Sequence, residues 1–139
     1  MKTLTGLDGM FLHLETPQTP MHVGSLALLD LPKGYHGDFL EDVKRLYARR
    51  IPLAPVVSRK LLELPLHMAN PVWVQAESID LDAHIRRIVL PKPGTQAQLE
   101  DCVGQLHSIP LDRTRPLWSV AIIEGLKSGQ VAYYTNIHH

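Results

Sequence analysis

The chain closes on two apolar strands, residues 117–126 (LWSVAIIEGL) and 130–139 (QVAYYTNIHH), separated only by Lys127, Ser128 and Gly129. This pairing constrains the fold more than any other feature. A gap that short brings the two runs back as an antiparallel hairpin, and a hairpin this apolar needs a layer of other elements to cover it. Two amphipathic helices are available for that purpose. In GDFLEDVKRLYARR, Phe39, Leu40, Val43, Leu46 and Tyr47 fall on one face at helical spacing. Asp38 caps that helix with Glu41 three residues on, Arg49 and Arg50 suit its negative end, and Pro52 stops it. In TQAQLEDCVGQLHSI, Thr95 and Gln98 form a capping-box pattern, and Leu99, Cys102, Val103 and Leu106 form the apolar stripe before Pro110.

Further strands are expected at 22–30, 56–64, 72–77 and about 84–90, divided by Pro32, Gly34, Pro65 and Pro71. The resulting order is β-α-β-β-β-α-β-β, an α+β arrangement whose helices are expected on one face of the sheet. The last strand reads as a bare edge that ends without a turn or polar tail, which suggests a chain interrupted within a domain.

Composition narrows the function classes. Fourteen basic residues balance fourteen acidic ones, so no net field draws the chain to nucleic acid or an anionic bilayer. The single cysteine, Cys102, cannot form an internal disulfide and fits a reducing compartment. No run approaches the roughly 18–20 apolar residues of a membrane span, and no signal peptide opens the sequence.

Strand parity sharpens the reading of the terminal histidines. Val131, Tyr133, Thr135, Ile137 and His139 share one face, and Ala132, Tyr134, Asn136 and His138 the other. The two imidazoles therefore have different roles: one can act as a general base while its neighbour packs or hydrogen-bonds internally, and a shared metal site is disfavoured. The bland reading is two ordinary histidines, or the stub of a tag.

Other stretches also carry two readings. In DRTRPLW, Asp112, Arg113 and Arg115 read either as a solvated turn before a core Trp118, or as a loop locked by Asp112 and Arg115 at the mouth of a cleft. His22 in MHVG reads as structural, with Gly24 marking a bulge or the close approach of another backbone. Asp80, Asp82 and His84 lack the matched partners of a metal site and read as loop charges. TGLDG has neither Walker nor dinucleotide spacing.

Together LTGLDGMFLHLETPQTPMHVGSL, WVQAESIDLDAHIRRIVLP, LDRTRPLW and YYTNIHH resemble, in that order from residue 4 to 139, the bacterial wax ester synthase/diacylglycerol acyltransferases. The resemblance implies half of a chloramphenicol-acetyltransferase-like, CoA-dependent acyltransferase fold: a mixed sheet with helices on one face. It makes residues 1–139 an N-terminal subdomain interrupted within an HHxxxDG signature, with His139 as general base and His138 in a supporting, structural role. Pro116, Leu117 and Trp118 match the family's PLW motif, which lines the substrate pocket.

The implied reaction transfers a fatty acyl group from acyl-CoA to a long-chain alcohol or diacylglycerol, for storage-lipid synthesis. It needs no permanently bound cofactor, metal or nucleic acid. The implied partners are the C-terminal remainder of the protein, in the same or a separate chain, and a lipid surface. The implied location is the bacterial cytoplasm, peripheral at the inner face of the plasma membrane or at lipid inclusions. A different reading is a non-catalytic lipid- or partner-binding module built on the same half-fold. The xxxDG half of the signature does not follow His139 in this sequence.

Overall fold

The structure, a computed structural model, describes residues 2–3, 14–16, 18, 20–54, 58–62, 72–76 and 78–138. The strands are β1 (Lys2–Thr3), β2 (His22–Leu29), β3 (Arg59–Leu62), β4 (Val72–Gln75), β5 (Ile85–Val89), β6 (Trp118–Glu124) and β7 (Val131–His138). The helices are α1 (Phe39–Arg50), α2 (Leu81–His84) and α3 (Gln96–His107), and a 3-10 turn at Ile51–Leu53 follows α1. Asp38 and Thr95 both cap as expected, while the Glu41 carboxylate pairs with Lys44. The Asp38 side chain accepts the Leu40 amide at the start of α1, and Thr95 and Gln98 close a reciprocal capping box on α3. The short helix α2 was not anticipated. It forms because the Asp80 carboxylate accepts the Asp82 amide, capping a turn where the sequence pattern suggests only the approach to a strand. TGLDG, the ends of the expected strand at 56–64 and His139 all lie outside the described residues.

The main sheet has the order β2-β7-β6-β5, and a smaller one has the order β1-β4-β3. β6 and β7 form the expected antiparallel hairpin, and β2 runs antiparallel along the far side of β7. β5 and β6 are parallel, which makes the sheet mixed and requires a crossover. That crossover contains α3.

Two expectations are corrected here. β7 is an interior strand, because β2 pairs with it from His22↔His138 to Leu29↔Val131. Its apolar residues are therefore not presented on a bare edge. The helices also lie on opposite faces of the sheet rather than on one. α1 contributes Leu40 and Val43 to a core with Ile85, Trp118, Val120, Ile122 and Val131, while α3 contributes Leu99 to a second core with Leu90, Ala121, Ile123, Ala132 and Tyr134. Consecutive residues of β6 alternate between these clusters, so both faces of the strand are apolar and each needs a cover. The α1 stripe is narrower than its pattern suggests, since Leu46 is 41% exposed.

Candidate active site

The alternation of β7 decides what surrounds His138. Ala132, Tyr134, Asn136 and His138 point to the α3 side, as parity requires. The His138 backbone amide donates to the Leu117 carbonyl at 3.1 Å, so the end of β7 is tied to the residue preceding β6. Its side chain, 4% exposed, places Nε2 3.2 Å from Glu15 Oε2.

Glu15 organises this end of the sheet. Its carboxylate is only 3% exposed; Oε2 accepts the Met21 amide at 2.8 Å and Oε1 accepts from Arg113 Nη2 at 3.1 Å. Burial pushes the carboxyl pKa up, but the Met21 and Arg113 hydrogen bonds and the charges of His138 and Arg113 more than offset this and hold it below the usual range. Sequence reasoning missed Glu15. It lies in LETPQTP, a stretch without periodicity, and no spacing rule links it to a histidine so far along the chain. Arg113, read as part of a solvated turn, is its partner.

Beside this pair lies a second polar group. His22 sits directly across from His138 in the strand register and is 7% exposed. Its Nε2 donates to the His107 carbonyl at 2.6 Å, and the two rings meet edge to face with centroids 4.6 Å apart. The Tyr134 hydroxyl donates to His107 Nδ1 at 2.7 Å, which the lowered pKa of His107 favours, since burial and then the proximity of His22 disfavour its cationic form. Gly24 makes room for this contact: a Cβ there would lie 2.6 Å from the Tyr134 hydroxyl oxygen and 3.0 Å from His107 Nδ1. The approaching group is thus a side chain, and the continuous register of β2 leaves no bulge at Gly24. Asn136, 3% exposed, fills the next position toward His138.

The three residues of PLW separate. Pro116 and Trp118 line a cavity of about 230 Å³ that His84, Asp112, Arg115, Ser119, Tyr134 and Asn136 also border. Leu117, buried, packs instead with Trp73 and Leu111. Trp118 belongs to the α1-side core, where His84 stacks on it at 4.4 Å and donates from Nδ1 to its carbonyl oxygen at 2.8 Å. Burial holds the His84 pKa below its ordinary value. Arg115 and Asp112 lie 3.7 Å apart, both about half exposed, and the Asp112 carboxylate accepts from the Thr114 amide and hydroxyl; this is the solvated turn before a buried Trp118, and it also borders the cavity. Asp80 caps α2 and Asp82 pairs with Lys44. Among the described residues no three His, Cys, Asp or Glu side chains are grouped to hold a metal ion.

Residues 4–139 match the model of the wax ester synthase/diacylglycerol acyltransferase catalytic domain. The chain belongs to that family. It is 38% identical to the wax ester synthase/diacylglycerol acyltransferase of Marinobacter aquaeolei VT8, whose structure superposes with a TM-score of 0.85 over 100% of this chain and 33% of that one. A putative diacylglycerol O-acyltransferase of Mycobacterium tuberculosis is 37% identical over 139 residues, covering 100% of this chain and 29% of its own length. A second, probable enzyme of that name from the same species is 37% identical over 135 residues, 97% of this chain and 49% of its own length. The chain therefore spans about half or less of these relatives. The first condensation domain of the calcium-dependent antibiotic synthetase, 18% identical with a TM-score of 0.73 over 99% of this chain and 32% of that domain, shares the fold. The match to the wax ester synthase/diacylglycerol acyltransferase family thus spans the elements that bring Glu15, His22, Arg113 and His138 together. Among the described residues no helix is long and apolar enough to cross a membrane.

Proposed function

We propose that the complete protein is an acyl-CoA-dependent O-acyltransferase that esterifies a long-chain alcohol or diacylglycerol, with His139 as general base. The observation that carries this reading is the buried Glu15–His138 contact at the end of β7, immediately before His139. In this reading the buried His138–Glu15 contact and the bond of the His138 amide to Leu117 hold the residue that precedes the base. His139 takes the proton of the acceptor hydroxyl as its oxygen attacks the thioester carbonyl carbon. The C–S bond then breaks, the acyl group passes to that oxygen, and CoA leaves with the proton held by the imidazole. No covalent acyl-enzyme and no permanently bound cofactor enter this scheme.

Pro116, Leu117 and Trp118 shape the substrate channel in this reading. Residues 1–139 act as one subdomain, completed by the remainder of the protein in the same or a separate chain. The hydrophobic acceptor is collected at a membrane or lipid-inclusion surface on the cytoplasmic side. The test is His139→Ala in the complete protein, assayed with a fatty acyl-CoA and hexadecanol or diacylglycerol. Ester formation is expected to vanish while the circular dichroism spectrum stays unchanged. Retained turnover would exclude His139 as the base, and tight lipid binding without turnover in the unaltered protein would favour the binding-module reading.

A further inference from the structure

A chain of contacts runs from the end of α3 to His138 and begins at His22. α3 ends at His107, whose carbonyl would otherwise be one of the unpaired acceptors at a helix C-terminus. The His22 ring supplies the donor from the first position of β2. The preceding residue, Met21, gives its amide to Glu15 Oε2, the same oxygen that faces His138 Nε2. His22 itself lies opposite His138 in the ladder. The helix end, the start of β2, the Glu15 carboxylate and the His138 ring are thereby tied in sequence. A parallel tie, from the Tyr134 hydroxyl to His107 Nδ1, joins the same helix end to β7.

We infer that His22 is a positioning residue for the acyl transfer, acting through Met21 and Glu15 to hold the His138 ring in one orientation. It touches no reacting atom. Without its donor, the start of β2 loses its bond to α3, the Met21 amide is free to move away from Glu15, and the carboxylate loses one of the two donors that fix it. Nδ1 of His22 is buried and has no hydrogen-bond partner among the described residues, so among them only the Nε2 bond holds the ring by hydrogen bonding. This inference rests on the proposed acyltransferase reading for its effect on turnover, but not for its effect on His138.

The experiment compares His22→Leu and His22→Gln in the complete protein. Gln keeps an N–H that reaches the His107 carbonyl, and Leu keeps only bulk. His22→Leu is expected to lower kcat by on the order of 10-fold or more, since a misplacement of about 1 Å can cost roughly 100-fold. KM for acyl-CoA should stay within about two-fold, because ground-state binding is untouched. His22→Gln should recover most of the loss. In parallel, 15N-histidine labelling reads the His138 ring directly: one set of ring signals in the unaltered protein and in His22→Gln, and broadened or doubled signals in His22→Leu.

If the complete protein has no acyltransferase activity, the spectroscopic arm decides alone. Unchanged His138 signals in a folded His22→Leu protein, or a lowered melting temperature with kcat intact below it, would overturn the inference. Should His22→Leu fail to fold, His22→Asn, whose amide is too short to span the gap, is judged by the same criteria.

Discussion

Gly24→Ala tests the packing around the polar group at the end of the sheet. The new methyl carbon would sit 2.6 Å from the Tyr134 hydroxyl oxygen, 2.9 Å from its Cε2 and 3.0 Å from His107 Nδ1. Tyr134 is 4% exposed and packed among Ala121, Ile123 and Leu99, so moving its ring means repacking that core. Overpacking the core costs about 1–3 kcal/mol, and displacing the Tyr134 hydroxyl from His107 leaves one buried polar group short of a partner, another 1–3 kcal/mol or so. Restricting the unfolded chain returns roughly 0.4–1 kcal/mol. The net expectation is a loss of roughly 1–5 kcal/mol, or a melting temperature lower by about 4–20 °C. Urea denaturation followed by the fluorescence of the two tryptophans measures it. Tyr134→Phe removes the 2.6 Å contact, so it should be less harmful in the Gly24→Ala background than alone, with a coupling of about 1 kcal/mol. A Gly24→Ala protein as stable as the parent, or additive effects of the two changes, would refute the packing argument.

Two further predictions concern pH. The folded pKa of Glu15 lies below its unfolded value, so its stabilisation is present above the unfolded value and is lost as pH falls through the lower, folded one. Glu15→Gln should therefore flatten the acid limb of the stability profile while costing about 1–3 kcal/mol near neutrality; an unchanged acid limb would count against the Met21 and Arg113 bonds. His84 also has a depressed folded pKa, so the stability it confers holds above the usual histidine value of 6.5 and falls as pH drops below it. His84→Phe keeps a ring against Trp118 and should lessen the loss between about pH 7 and 5, as seen by thermal melts at each pH.

How much was legible in the sequence depended on the range of the interaction. The caps of α1 and α3 and the apolar stripe of α3 are governed by contacts three or four residues apart, and they appear where the pattern puts them. The alternation of β7 is equally local, so the separation of His138 from Ile137 could be stated from parity. Errors arose where the chain path decides. The apolar runs of β6 and β7 fit a strand covered on one face as well as on two, and only the parallel placement of β5 beside β6 puts α3 opposite α1. The Asp112–Arg115 pair was readable from a spacing of three, whereas the bond of Arg113 to Glu15 was not.

The sequence by itself determined the two long helices and their caps, most strands in outline, the face on which each β7 residue lies and the order of motifs that marks the family. Those follow from the two-residue period of a strand, the helical period and the chemistry of caps, all of which act within a few residues. The tertiary structure alone decided that β2 lies against β7, which sets His22 opposite His138, brings Glu15 to its imidazole and gives the Tyr134 hydroxyl the space left by Gly24. Such contacts join residues from opposite ends of the chain, and no local propensity encodes them; they exist because burying both faces of one sheet admits this path.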